Sequence, residues 1–468
     1  MASTSNQPQS FVAITGSSTS SCGYCHASSD SSHSFGLWAY RLTPSVYQNL
    51  IDHGWRRSGK YLYKPTLTTT CCPAYTIRLN AGSSSVSKGQ KKVLKKMKRY
   101  LNSGKGIVAK DEENEMSKVG PREQFMIPAS DIPTAIDTAA WIHADTARSD
   151  VSNPKNKTRF EQESAQHLGS TISVLIHETE SIANQHSHQL KVVLEVASFT
   201  QATFELYKKY QIAVHNDPPS RLNPEQFTQF LVDTPICTEL IPETDFKSTT
   251  SQLACWNDPT HSIQPQPSYG SFHQKYYMDD KLIAVAVLDI LPRCVSSVYF
   301  MYDPAFGFLS LGTYSALREI ALTKWLSDTM PRGLDYYYMG YYIHSCIKMR
   351  YKAAYKPSQI LCPETYKWVD LSQATRLLDL RKDTALVDCK NKTEGDTEDA
   401  AIQPRPIRDV LHVDIPTNVI EKSVALVGRK LVPLNMLGPK HKLVIQVKEF
   451  STRVNPSTLL DQLVFVAT

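Results

Sequence analysis

Lys281-Leu-Ile-Ala-Val-Ala-Val-Leu-Asp-Ile-Leu291 is an apolar run interrupted late by Asp289. It is rich in β-branched residues and has the length of a strand, so it reads as a strand buried on both faces. Ser296 to Tyr302 reads as a second strand, with Pro292-Arg293 supplying the turn between them. Working outward, Leu309 to Leu326 places Leu317, Ile320, Ala321 and Trp325 on one face of an amphipathic helix. Asp335 to Tyr341 is an aromatic strand. Upstream, Lys191 to Ala197 reads as a strand and Phe204 to Tyr210 as a helix. Pro224 to Leu231 is a second helix, with Asn223 as N-cap and proline at the first helical position. Lys442 to Phe450 and Leu460 to Ala467 read as a closing strand pair. This order predicts an α/β (α+β) domain around a mixed sheet.

A chain of 468 residues exceeds one ordinary hydrophobic core, so more than one domain is expected. Hydrophobic residues at 41% and charged residues at 21% are globular in composition. The formal net charge of +6 is mild, but locally concentrated charge would suit a nucleic acid. No apolar run is long enough for a transmembrane helix, and no membrane partner is expected. Met1 to Ser21 lacks a basic segment followed by an apolar core, which argues against a secretory leader. A cytoplasmic, and also nuclear, location is therefore expected, with the ten cysteines mostly reduced. Residues 1–20 read as a disordered tail, 21–103 as a cysteine-rich domain, 104–188 as a polar linker or insertion, and 189–468 as the C-terminal α/β domain. Within the last, 242–268 and 383–408 read as polar loops.

Cys22-Gly-Tyr-Cys25 is a C-x2-C pair, and Cys71-Cys72-Pro73 is an adjacent pair. A tight turn at Gly23 points two thiolates inward, and a turn at Cys72-Pro73 brings the second pair round. Four thiolates suit tetrahedral zinc or an iron–sulfur cluster. The bland reading is a set of buried reduced thiols. His26 and His33 are substitute ligands. Cys237, Cys255, Cys294, Cys346, Cys362 and Cys389 read as ordinary core or surface thiols. Cys346 has a second reading as a nucleophile, since His344 would share its face on a strand.

Lys88 to Arg99 carries Lys91, Lys92, Lys95, Lys96, Lys98 and Arg99, with Val93, Leu94 and Met97 at helical spacing. One face of such a helix packs while the other offers charge to a phosphate backbone, as of RNA. A solvated face or a nuclear-import signal is the alternative.

Several stretches together resemble one family. Cys22-Gly-Tyr-Cys25, Trp38, Tyr40, Gly54 to Gly59, Tyr63-Lys64-Pro65 and Cys71-Cys72-Pro73 resemble the N-terminal domain of eukaryotic arginyl-tRNA–protein transferases. Gly270 to Tyr276, Leu288 to Pro292, Ser296 to Phe300, Tyr302-Asp-Pro304, Tyr341 to Cys346 and Lys348 to Lys352 resemble that family's C-terminal domain. The resemblance covers about two thirds of the chain and skips the polar blocks. Ala286 departs from the pattern, which has glycine there. The resemblance implies an acetyltransferase-like (GNAT-type) catalytic domain that uses arginyl-tRNA in place of acetyl-CoA. It implies zinc or an iron–sulfur cluster on the four N-terminal cysteines. It also implies acceptors beginning with Asp, Glu or oxidised Cys, marked by arginine for ubiquitin-dependent degradation in the N-degron pathway.

The arginyl ester is already activated, and an α-amine with a pKa of about 7.7–8.0 is partly free base near neutrality. Positioning and oxyanion stabilisation then matter more than a strong base. Candidate catalytic residues are Asp289, Ser297, Tyr299 and Tyr342. His344, Lys348, Arg350 and Lys352 are candidates for the acceptor's carboxylate; on a strand the last three would share one face. Asp289 and Asp303 are candidates for the arginyl guanidinium, and Tyr302 for stacking the terminal adenine. Ser296, His273 and Lys275 are weaker candidates. Each has an ordinary reading as a cap, a core aromatic or a surface charge.

Two other readings fit parts of the chain. An acetyl-CoA-dependent N-acyltransferase needs a glycine-rich pyrophosphate loop; Phe306 to Thr313 has spaced glycines but no basic Q/R-x-x-G-x-G pattern. A non-catalytic metal- and RNA-binding adaptor explains the cysteines and lysines but not the polar aromatic set in 270–352.

Overall fold

A computed structural model describes residues 10–27, 30–104, 135–137 (backbone alone), 172–180, 187–242, 268–330, 333–386, 404–408, 423–428, 430–454 and 459–467. Two mixed sheets organise them. The first has seven strands in the order β16 (Lys430–Pro433), β15 (Val424–Val427), β17 (Leu463–Val466), β1 (Ser10–Ser20), β2 (Ser32–Arg41), β4 (Tyr61–Pro65), β3 (Arg56–Ser58). The second has ten: β14 (Trp368–Asp370), β13 (Ser358–Leu361), β5 (Tyr75–Asn80), β12 (Tyr336–Tyr342), β11 (Cys294–Tyr302), β10 (Lys281–Leu291), β9 (Ser268–Met278), β7 (Leu190–Val196) and β6 (Ala135–Asp137), with β8 (Glu239–Leu240) paired to β9.

The opening stretch is β10, central in the larger sheet. Its alternate residues explain the unbroken apolar run. Ala284, Ala286, Leu288 and Ile290 enter a core beneath the helices α2 (Lys88–Ser103), α3 (Ile172–Glu180) and α6 (Leu311–Thr329). Val285 and Val287 enter a second core on the other face, under α4 (Gln201–Tyr210) and α5 (Pro224–Phe227). A strand covered on both sides has no polar face to alternate with. Ala286, the departure from the family pattern, is fully buried in the first core.

A register shift opposite Val287/Leu288 leaves Val298 unpaired, a β-bulge in β11. As a result Val298 and Tyr299 both face the α4 core, while Val295 and Phe300 face the α6 core.

Helix α6 is buried almost all round, including Arg318 and Glu319, so it is central rather than amphipathic. The sheet covers one side and α2 and α3 cover the other. Arg318 makes a two-point ion pair with Glu180 at 2.7 and 2.8 Å, tying α3 to α6. Helix α3 lies within the block 104–188 expected as linker.

The two sheets are interwoven by sequence. β5, from the cysteine-rich block, pairs with β12 and β13. β17, from the far end of the chain, runs parallel to β1. Trp55 Nε1 and Lys64 Nζ both donate to the carbonyl of Arg453, at 3.3 and 2.8 Å.

The structure corrects several expectations. Ser10–Ser20 is a strand, not tail, because Phe11 and Val12 pair on both sides and Val12, Ala13 and Ile14 are buried. Lys442 to Phe450 is helix α9 (Lys442–Ser451); its buried residues Leu443, Val444, Val447 and Phe450 have helical spacing that β-branched composition masked. Leu460 to Gln462 is a 3₁₀ turn and only Leu463–Val466 is strand. β9 is a strand missed in the sequence. Ile347–Arg350 is a helical turn, α7, followed by 3₁₀ at Tyr351–Ala354, so Lys348, Arg350 and Lys352 do not share a strand face. The tail before residue 10, most of 104–188, and most of the loops at 242–268 and 383–408 lie outside the described residues.

Candidate active site and cysteine centre

Cys22 and Cys25 sit in the turn between β1 and β2, and Cys71 and Cys72 in the loop before β5. The four sulfurs all lie within 4.8 Å of one another, with Cys25 and Cys71 3.4 Å apart. That is the spacing a tetrahedral thiolate centre needs, since zinc–sulfur bonds of about 2.3 Å set sulfurs about 3.8 Å apart. The donor set therefore fits a four-thiolate group, held by Cys22, Cys25, Cys71 and Cys72. His26 and His33 are not part of that set. The Ala27 amide first, then the Cys71 thiol, bring the exposed Cys25 thiol down to about 7. Burial pushes Cys71 and Cys72 up.

The centre rests on the segment that follows β12. Cys22, Cys72 and Ala74 pack with Tyr341, Ile343 and Met349, and Cys71 and Cys346 lie against the same cluster. Cys346 thus belongs to the apolar surround of the cysteines. It does not pair with His344, whose ring nitrogens are both engaged elsewhere.

β11 and β12 run parallel and pair only from Cys294–Ser296 to Tyr336–Tyr338. Beyond that their carboxyl ends part. Gly340, at φ +72° in the parted stretch, has open space where a Cβ would stand, and its carbonyl accepts from Arg56 at 3.3 Å. α6 starts from the same end, after Ser310 in the left-handed conformation. Openings at the carboxyl ends of diverging strands are where open α/β sheets bind ligands.

Tyr342 ends β12 beside this parted stretch, with its ring buried. Its hydroxyl lies 2.8 Å from His344 Nδ1, and His344 Nε2 lies 2.7 Å from Asp379 in helix α8 (Leu371–Leu380). Burial raises the Tyr342 phenol, opposed by the Arg350 guanidinium. Lys348 and Arg350 are exposed beside this row. Lys352 is not available with them: it is buried and its ammonium donates to the carbonyl of Tyr341.

Asp289 is also unavailable to a substrate guanidinium. Arg57 of β3 holds both carboxylate oxygens, at 2.7 and 2.8 Å, and Ser271 donates to one at 2.6 Å. Asp303 caps the 3₁₀ turn Pro304–Leu309 through the Ala305 amide at 3.1 Å and pairs with Lys281 at 3.0 Å. Burial works against its ionisation, but Lys281, the Ala305 amide and Lys209 together bring its pKa below the ordinary value. Tyr299 points away from the opening and donates to Gln211 at 3.0 Å under α4. Tyr302 stacks on Phe300 and meets Tyr210 edge-on. Ser296 and Ser297 are buried where β11 and β12 part. His273 Nε2 donates to the Leu231 carbonyl at 2.8 Å, and Lys275 pairs with Glu195. Of the sequence candidates, the structure therefore joins Tyr342, His344 and Arg350 beyond the end of β12, with Lys348 in the same helical turn, leaves Ser297 back along β11, and sets Asp289, Tyr299, His273 and Lys275 into packed surroundings.

The basic segment is α2, opened by a Ser87/Gln90 capping box and closed by Gly104 at φ +63°. Gln90, Leu94, Met97 and Leu101 are buried, which leaves Lys91, Lys92, Lys95, Lys98 and Arg99 exposed and Lys96 half-buried.

Arg57 and Asp379 were missed in the sequence. Asp379 stands 35 positions from its histidine partner, in a helix with no recognisable motif. Arg57 lay inside the quoted Gly54 to Gly59 stretch, yet nothing local points it at a carboxylate 232 positions away.

A family model described as "Arginine-tRNA-protein transferase, N terminus" matches residues 20–92, and one described as "Arginine-tRNA-protein transferase, C terminus" matches residues 202–362. The chain is similar to arginyl-tRNA–protein transferase 1 of Drosophila melanogaster, 37% identical over 427 residues, 78% of this chain and 83% of that protein. It is 32% identical over 480 residues to arginyl-tRNA–protein transferase 2 of Arabidopsis thaliana, 79% of this chain and 76% of that protein. A shorter stretch of 86 residues is 43% identical to aspartate/glutamate leucyltransferase of Campylobacter jejuni, 18% of this chain and 34% of that protein.

Proposed function

Because the chain belongs to the arginyl-tRNA–protein transferase family, we propose that it transfers arginine from arginyl-tRNA to the N-terminal α-amino group of proteins. The observation that carries this reading is the pair of family models in order along one chain, the second spanning the parted strands β11 and β12. On this reading the catalytic domain is acetyltransferase-like. The antiparallel run β9–β10–β11, the crossover through α6 and the parallel β12 support it. The arginyl ester lies in the opening, with Ser297 and Tyr342 nearest its carbonyl.

The acceptor begins with Asp or Glu, or with oxidised Cys. Two features support an acidic acceptor: the exposed guanidinium and ammonium of Arg350 and Lys348 beside Tyr342, and the short likeness to a protein named for aspartate and glutamate. A planar guanidinium is suited to hold a carboxylate at two points. Arginylation then marks the acceptor for ubiquitin-dependent degradation, in the cytoplasm and nucleus. Among the described residues no helix is long and apolar enough to cross a membrane.

The four cysteines hold zinc or an iron–sulfur cluster. Such a group would fix the loop under Tyr341, Ile343 and Met349 from below. Exposed lysines of α2 contact the tRNA backbone. No acetyl-CoA is used.

Transfer of labelled arginine from charged tRNA to matched peptides starting with Asp or Ala tests the reading. Transfer to the Asp peptide alone is expected. Acetyl transfer from acetyl-CoA, with no arginine transfer, would replace it.

A further inference from the structure

Resting on the arginine-transfer reading, we propose that Tyr342, His344 and Asp379 form a relay that removes the proton from the acceptor's attacking α-ammonium, with Asp379 positioning His344.

With the imidazole neutral, as a base must be, the hydrogen bonds have one consistent direction. The Asp379 carboxylate accepts only, so His344 Nε2 carries the ring proton at 2.7 Å. Nδ1 is then a lone pair, and the Tyr342 hydroxyl donates to it at 2.8 Å. The phenolic oxygen has two lone pairs; the Arg350 guanidinium meets one and the other is left to accept. This is the logic of a carboxylate–imidazole–hydroxyl row, here delivering a base rather than a nucleophile. Its place supports the role: Tyr342 ends β12 beyond its last rung with β11. Charged groups facing the phenol are Arg350 from α7 and Asp379 from α8; across β5, Tyr75 turns its hydroxyl to the Thr384 carbonyl at 3.0 Å.

The step balances. An ammonium N–H bond breaks as its proton moves to Tyr342 Oη, whose own proton passes to His344 Nδ1. The nitrogen's freed electron pair bonds the ester carbonyl carbon. The carbonyl–ribose C–O bond then breaks, its electron pair staying on the ribose oxygen, which takes the nitrogen's second proton. The proton left on His344 leaves to solvent at Asp379, whose side chain is 66% exposed. A hydrogen bond to a side chain that exposed contributes little to stability, so its substitution is a clean probe.

Tyr342→Phe and Asp379→Asn in the full chain are compared with wild type by single-turnover transfer from arginyl-tRNA to an Asp peptide, from pH 6 to 8.5. Tyr342→Phe is expected to slow kcat by about 100-fold at pH 6.5. The deficit should shrink as pH passes the amine's own pKa of about 7.7–8.0, where solvent has already removed the proton. Asp379→Asn, which removes the carboxylate's hold on the Nε2–H tautomer, should give about a 10-fold loss of the same pH shape with KM unchanged. A deficit flat in pH, or none in either variant, overturns the relay. Wild-type protein that transfers no arginine at any pH overturns instead the reading on which it rests.

Discussion

Arg57 clasps Asp289 across the boundary between the two sheets, both carboxylate oxygens taken and both side chains excluded from water. Burial works against the guanidinium's charge, but Asp289 holds its pKa above the ordinary value. Ser271 donates to the same carboxylate at 2.6 Å, and the carbonyl of Asp233 accepts from Arg57 at 3.2 Å. A residue that looks like a free carboxylate at the end of a strand is the fastening point of the N-terminal sheet.

Removing one partner leaves the other charged and dry. Asp289→Ala and Arg57→Ala should each cost about 3–5 kcal/mol of unfolding free energy in urea titration. A volume-matched apolar pair, Arg57→Met with Asp289→Leu, should recover most of it. Equal loss in the double variant would show that packing, not the unpaired charge, sets the cost.

His273 gives folding an acid dependence. Burial first, then Lys275 and Arg57, bring its imidazole from 6.5 to about 4, against the favourable Leu231 carbonyl. The unfolded chain takes the proton near pH 6.5 and the folded chain only near 4. The stability is therefore present above 6.5 and is lost as pH falls toward 4, by about 3 kcal/mol over that window. His273→Gln should remove that slope from unfolding free energies measured between those pH values. An unchanged slope would reject the assignment.

Among the four clustered thiols Cys25 is the exposed one and is brought down to about 7. In metal-free protein, iodoacetamide should therefore modify Cys25 first, at a rate rising through pH 7. Zinc should suppress that reaction. Cys72→Ala should abolish stoichiometric zinc uptake, measured by metal analysis. Uptake by the variant would place the metal elsewhere.

The exposed face of α2 is tested by charge. Lys91→Glu with Lys95→Glu and Lys98→Glu should raise KM for arginyl-tRNA, leave KM for the peptide unchanged, and flatten the salt dependence of tRNA binding. Each lost phosphate contact removes about 0.7–0.9 from the slope of log K against log salt. An unaltered slope would leave α2 as a solvated face.

How far the sequence could be read depended on how local the cause was. β10, β7 and α4 were legible because period and residue type agree over a short stretch. The two thiolate pairs and their convergence were legible, because each pair sits in a tight turn; the folding back of β2, β4 and the loop before β5 then brings the four sulfurs together. Lys442 to Ser451 was misread since Val444, Ile445 and Val447 favour strands by composition while their spacing favours a helix. Val298 was hidden: a one-residue bulge reverses which face Tyr299 takes, and no local pattern marks it. The partners of Asp289, His344 and Lys352 lie in other elements, or on the backbone, where only tertiary packing can deliver them.

The parallel pairing of β1 with β17 has a consequence for synthesis. β1 emerges from the ribosome before the other described strands, yet the strand that covers its second edge, starting at Leu463, emerges among the last described residues. At about 5–20 residues per second that wait is on the order of tens of seconds. Throughout it the nascent chain carries a bare, sticky hydrogen-bonding edge beside Val12 and Ile14. The opening strand is thus made early and sheltered late, and a holding chaperone that masks such edges would set the yield of native protein.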